Sequence, residues 1–177
     1  GSVTLLATAG KDNVIAEIAY KLQENGHAAL GATDWPLDTK QLTNDVDPNT
    51  ELALSVCGAH MSGLPLNGEL TKLGARYLYT TTTSESYQLF RLAGSNPFRP
   101  GLVRTPSTGV AIELEVWAIP LEHVGTFISG IPMPLGIGKV VLKDGSQVSG
   151  FICEKISEDG AENISHFGSW RNYIDEV

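Results

Sequence analysis

The run that decides the fold is Val110–Ile119, VAIELEVWAI. Ile112, Leu114 and Val116 fall on one side of an extended chain, with Glu113, Glu115 and Trp117 on the other. That two-residue period is a β-strand. Carboxylates on the outer face of a half-exposed antiparallel strand are ordinarily solvated. If the face instead lines a barrel interior, Glu113 and Glu115 become pocket acids. Downstream, GKVVLKDGSQVSGFICE (138–154) is the clearest hairpin, because Asp144-Gly145 suits a tight primed turn between two β-branched runs. Glu154 at its end carries the same ambiguity as Glu113 and Glu115. Upstream, Glu51–Cys57 reads as a strand covered on both faces. Arg76–Thr82 and Tyr87–Leu92 read as two strands joined by a polar turn at Thr83–Ser86, and residues 94–109 as a loop rich in Gly, Pro and Ser.

Between the strands lie short helices. Pro65 and Asn67 set one up, with Asn67 as its cap, Leu70 and Leu73 inward, and Gly74 as its stop. Leu121, Val124 and Ile128 have helical spacing, and Ser165–Ile174 places Phe167, Trp170 and Ile174 on one face of a closing helix. About six strands with hairpins, without regular βαβ alternation, predict an α+β fold. Its centre would be a small mixed, mostly antiparallel β-barrel or curled sheet.

The 177 residues suffice for one domain plus an appendage. Residues 12–25 carry Val14, Ile15, Ile18, Ala19 and Leu22 on one helical face, with Asp12 or Asn13 to start the helix and Gly26 to close it. Residues 31–50 then lose pattern, with Trp35-Pro36 and Asp47-Pro48 as breakers, and predict a boundary near residue 48. A net charge of −8 without basic clusters argues against nucleic acid or an anionic membrane as partner. Apolar runs such as Ala53–Val56 are far shorter than the ~20 residues of a membrane helix. Cys57 and Cys153 sit in apolar strands and read as reduced core thiols; no spacing suggests zinc or another metal. The N-terminus shows no secretory pattern and Gly1-Ser2 reads as a cloning remnant, so a cytoplasmic protein is expected.

Chemistry concentrates in VCGAHMSGLPLN (56–67). His60 stands at the C-terminal end of a buried strand between Gly58 and Gly63, where glycines let backbone approach a ligand. The bland alternative is a histidine that merely orders a loop. His27, His123 and His166 read as surface residues. Arg76, Arg91, Arg99, Arg104 and Arg171 are the guanidinium candidates for an anionic ligand, Arg76 foremost because it opens a strand directly after the loop and helix. Leu135-Gly136-Ile137-Gly138 reads as a glycine-bearing turn and lacks the Lys-Ser/Thr of a phosphate loop. Ser62 has no orienting acid nearby in sequence, which argues against serine hydrolysis.

The segments GAHMSGLPLNGELTKLGARY (58–77), PGLVR (100–104), IELEVWAIP (112–120), IPMPLGIGKVVLKDG (131–145), GFICE (150–154) and SHFGSWRNYI (165–174) together resemble the C-terminal domain of allophanate hydrolase, which also forms part of fungal urea amidolyase. The resemblance covers about residues 51–175. It implies that residues 1–33 are the helical tail of a preceding amidase domain, 34–50 a linker, and 51–177 the C-terminal domain. It also implies a fold similar to gamma-glutamyl cyclotransferases. Those enzymes take a catalytic glutamate from a segment that here reads HVGTFISGIPMPLG and holds no carboxylate.

What the resemblance implies for function is a place in urea degradation. The amidase domain converts allophanate to N-carboxycarbamate, and the C-terminal domain, without cofactor, removes carbon dioxide to leave carbamate. The expected partners are that small anionic substrate, the amidase domain of the same polypeptide and a second copy in a homodimer. His60 is the expected general acid. Backbone of Gly58, Ala59, Met61 and Gly63, with Ser62, would hold a carboxylate; Asn67, Arg76 and Tyr87 would complete the pocket, and Glu115 would orient His60. The other reading is a non-catalytic structural or dimerisation module that supports the amidase.

Overall fold

The structure is a computed structural model that describes residues 4–7, 15, 16, 18, 19, 21, 22, 45–94, 98–154 and 160–177. The chain divides into two compact units, residues 1–43 and 44–177. In the first, the described residues between 15 and 22 are helical, within the helix expected over 12–25. The remainder of that helix, residues 31–44 and His27 lie outside the described residues.

The second unit is α+β. Its strands are β1 (Glu51–Val56), β2 (Arg76–Thr82), β3 (Tyr87–Arg91), β4 (Pro100–Arg104), β5 (Glu113–Pro120), β6 (Leu135–Val141), β7 (Gln147–Cys153) and the two-residue β8 (Glu162–Asn163). Its α-helices are α1 (Asn67–Lys72), α2 (Leu121–Ser129) and α3 (Trp170–Glu176), with a 3-10 turn at Ser165–Phe167. Five strands form one sheet in the order β2-β5-β1-β7-β6, and three form another in the order β4-β3-β8. Among the described residues only β1 and β7 pair parallel. The larger sheet curls until its outer strands meet at one bridge, Thr83 to Leu142, where Ser84 N–H donates to the Val141 carbonyl at 2.9 Å. Lys143 N–H donates back to the Thr82 carbonyl at 3.0 Å, and among the described residues the strands form two sheets rather than a closed barrel.

β5 is the spine. It pairs with β1 on one edge and β2 on the other, and six of its eight residues are buried. Leu114, Val116 and Ala118 enter one apolar cluster with Leu78, Leu89, Leu102, Val140 and Trp170. Trp117 and Ile119 enter another with Leu54, Val56, Leu70, Phe127 and Phe151. The alternation expected for VAIELEVWAI is therefore present, but both faces are covered.

Several local expectations are corrected. Residues 94–109 contain strand β4, whose short PGLVR run sits among loop-forming residues. β2 and β3 follow one another in the chain yet lie in different sheets. Leu135-Gly136-Ile137-Gly138 opens β6 instead of forming a turn, and a Cβ at Gly138 would meet the end of the Ile152 side chain, which would have to shift. The closing helix is broken at Gly168 (φ 66°), and Ser169 caps α3 by accepting from the Arg171 amide at 3.2 Å. That break buries Trp170 and Tyr173 and leaves Ile174 37% exposed. Asn67 is the first residue of α1; its side chain caps nothing there and donates to the His60 carbonyl at 2.9 Å.

Glu51 and Arg76 start strands on either side of β5 and are joined across it. Arg76 Nε and Nη2 donate to the two Glu51 oxygens at 2.9 and 2.7 Å. This paired guanidinium holds the Glu51 carboxyl below its usual value of 4.5. A lowered folded-state value stabilises above the unfolded value and is lost as pH falls through the folded one. Arg76→Met is therefore expected to lower stability by up to about 1 kcal/mol near pH 7, with the difference from the parent shrinking below pH 4. Urea unfolding at the two pH values checks this; a difference independent of pH contradicts it.

Candidate functional site

The chain leaves β1 at Val56 and enters a tightly bonded loop. Met61 N–H donates to the Gly58 carbonyl at 2.8 Å, Leu64 N–H to Met61 at 3.0 Å and Leu66 N–H to Ala59 at 2.9 Å. Gly63 takes a left-handed conformation (φ 76°) that a side chain disfavours. Gly58 has a packing reason of its own: a Cβ there would run into the ring of Pro100. Together with the Asn67 side chain on its carbonyl, these bonds fix the backbone from which His60 projects.

The His60 ring is half-buried between two aromatics. Phe151 of β7 stacks on it with ring centres 5.2 Å apart, and Phe127 of α2 meets it edge-on at 5.4 Å. Its Nε2 lies 2.9 Å from Glu69 Oε2 on α1. An ionised carboxylate can only accept, so that geometry places the hydrogen on Nε2. Nδ1 has no partner among the described residues.

His60, Gly58, Ala59, Glu69 and Arg99 share the wall of a cleft of about 250 Å³, closed elsewhere by apolar groups that include Leu66, Pro100, Leu135 and Phe151. On the other side, His60 and Glu69 also line a second hollow of about 360 Å³ with Lys72, Thr126 and Phe127. Cys57 borders the cleft, but burial pushes its thiol up to about 12, so at neutral pH it is a small apolar wall rather than a nucleophile. Both cysteines are free and buried, as expected of core thiols.

Beneath the loop lies Glu115, only 3% exposed. Its Oε2 accepts from Ser62 N–H at 2.8 Å, Ser62 Oγ–H at 3.0 Å and the Trp117 indole N–H at 3.0 Å. Its Oε1 accepts from Arg171 Nη2 of α3 at 2.9 Å, and the same nitrogen donates to the Ser62 carbonyl at 2.6 Å. Glu113, two residues earlier, accepts from Ser169 Oγ–H at 3.0 Å. Both carboxylates of β5 thus bind the C-terminal helix and its cap, and Glu115 binds the His60 loop as well.

Of the residues expected around a substrate, Gly58, Ala59 and His60 share the cleft wall. The others lie elsewhere. Met61 is wholly buried in the core, and Ser62 is turned to Glu115, an acid 53 positions away that sequence spacing does not reveal. Gly63 and Asn67 shape the loop. Arg76 is held by Glu51, and Tyr87 is buried with its hydroxyl accepting from Val141 N–H at 2.9 Å. Glu115 does not touch His60; Glu69 does. Glu69 escapes a sequence reading because it looks like an ordinary first-turn acid of α1. His123 lies 3.6 Å from its neighbour Glu122 on the surface, and His166 is exposed beside Phe167. Among the described residues, no cluster of His, Cys, Asp and Glu could hold a metal ion.

This α+β architecture and its histidine-bearing loop place the chain in a known family. The profile of the allophanate hydrolase C-terminal domain matches residues 52–175, and the chain belongs to that family. It is 39% identical to urea amidolyase of Saccharomyces cerevisiae over 98% of its length, while spanning 10% of that much longer protein. The solved allophanate hydrolase of Kluyveromyces lactis superposes with a TM-score of 0.69 at 42% identity, covering 71% of this chain and 21% of that one. A solved protein described as specific to uropathogenic E. coli matches with a TM-score of 0.66 at 33% identity, over 72% of this chain and 98% of its own.

Removing the Glu115 carboxylate strands three donors and a guanidinium in a largely closed site. Glu115→Ala should therefore cost about 3 kcal/mol in urea unfolding, and Glu115→Gln, which keeps an acceptor, distinctly less. Equal stability of both variants and the parent contradicts this reading.

Proposed function

We propose that this domain removes carbon dioxide from N-carboxycarbamate to leave carbamate, with His60 as general acid, in the urea-degrading pathway of the enzymes it resembles. The observation that carries the proposal is the half-buried His60 imidazole in the wall of a small cleft, clamped by Phe127 and Phe151 and oriented by Glu69. Decarboxylation breaks one C–N bond. The bonding pair stays on nitrogen, which takes a proton as carbon dioxide leaves, so the dianion becomes the carbamate monoanion. Imidazole is the side chain suited to deliver that proton near neutral pH. With the Nε2 hydrogen held on Glu69, the acid form is the imidazolium, whose Nδ1–H goes to the substrate nitrogen; the neutral ring left behind takes a proton back at Nδ1 from water.

The first step, formation of N-carboxycarbamate from allophanate, belongs in this reading to an amidase domain of the same polypeptide, and the cytoplasm is the proposed compartment. The preceding residues 1–33 and 34–50 are proposed as amidase tail and linker. A purely structural or dimerising module would have no need of an open cleft at His60. Cyclotransferase chemistry lacks its acid, because the stretch 123–136 carries no carboxylate.

In the natural full-length chain supplied with allophanate, His60→Asn is expected to slow the carbon dioxide step by roughly 10²- to 10⁴-fold while the first ammonia is released at the parental rate. Following ammonia and carbon dioxide together checks this. Parental rates for both products overturn the role of His60.

A further inference from the structure

The cleft contains a cation, Arg99, that no carboxylate among the described residues neutralises. Four of the five arginines are half-buried: Arg76, Arg91, Arg99 and Arg171. Three are satisfied by carboxylates, Arg76 by Glu51 at 2.7 Å, Arg91 by Glu162 at 3.0 Å and Arg171 by Glu115 at 2.9 Å. Arg99 has no carboxylate and no side-chain hydrogen bond among the described residues, yet it borders the same cleft as His60 and the backbone of Gly58 and Ala59. A guanidinium at the wall of an apolar cleft, without a carboxylate to hold it, presents its planar donors to an anionic ligand. In a chain of net charge −8, it is also a local positive site against an unfavourable overall field.

From this we infer that Arg99 binds one carboxylate of a small dicarboxylate and holds it as the group retained in the product while the other leaves as carbon dioxide. The inference rests on the decarboxylation reading and deepens it. The cleft is chemically two-sided. Arg99 offers a planar pair of donors that matches a carboxylate, whereas Leu66, Leu135, Pro132 and Phe151 offer none. A carboxylate set against that apolar wall loses solvation as an anion and regains favour as neutral carbon dioxide, so the polarity of the wall selects the leaving group. Among the described residues Glu69 is the one acid on the cleft wall. It opposes an anionic ligand in general, and its bond to His60 turns its negative charge toward the imidazole. Arg99 precedes Pro100, whose ring packs on Gly58, so the guanidinium and the histidine loop are tied together by one contact at their roots.

The test uses the 177-residue chain and malonate, an unreactive dicarboxylate of the right size, with binding followed by calorimetry and folding by thermal unfolding. The parent chain is expected to bind malonate. Arg99→Met is expected to weaken binding at least tenfold without shifting the unfolding midpoint, Arg99→Lys to restore part of it as a point charge, and His60→Asn to weaken it less than threefold. Parental affinity in Arg99→Met overturns the assignment, as does absence of malonate binding by the parent. Either result is separable from the decarboxylation reading, which stands or falls on carbon dioxide release by His60→Asn in the full-length chain.

Discussion

The structure depends on one buried carboxylate. Glu115 leaves the central strand on the face it shares with Glu113, Trp117 and Ile119, and it survives burial because four donor groups converge on it. Those donors come from three parts of the chain that are far apart in sequence: the loop after β1, β5 itself and the last helix. A buried ion pair adds little net stability compared with apolar packing, since desolvation cancels most of its attraction. Its effect here is on geometry. Ser62 can meet Glu115 through both its amide and its hydroxyl only if residues 58–66 follow one path, and that path sets His60 at the cleft.

This arrangement divides the labour around the imidazole. Backbone turns and the Asn67 amide hold its main chain, two phenylalanines hold its plane, and Glu69 holds its tautomer. Each device comes from a different element, so the ring is fixed by the tertiary structure rather than by its own loop alone. The cleft beside it has opposed walls, the Arg99 side chain on one part and apolar groups on the other.

Much of this was legible in the sequence where pattern and geometry coincide. Period-two alternation located β5, Asp144-Gly145 located the β6–β7 hairpin, and paired glycines around a histidine after a buried strand pointed to the loop that borders the cleft. What failed was information that only the third dimension holds. The fate of Glu113 and Glu115 depended on whether another element covered their face, and the covering element is the C-terminal helix more than fifty positions away. β4 was missed because a five-residue strand bounded by proline and glycine looks like loop. Arg76 was favoured over Arg99 by its place at a strand start, but Glu51, at the start of another strand, lies across β5 from it and satisfies it. Glu69 became visible only when α1 folded back over the loop.

The most direct test of Glu115 as the anchor of the site is native-state amide hydrogen exchange at Ser62. If the carboxylate holds that amide closed, Ser62 exchanges as slowly as the β5 amides of Val116 and Ala118, opening only when the domain unfolds. Exchange at Ser62 as fast as at the exposed Gly63, under conditions where β5 stays protected, would show that the loop opens freely and that Glu115 does not fix it.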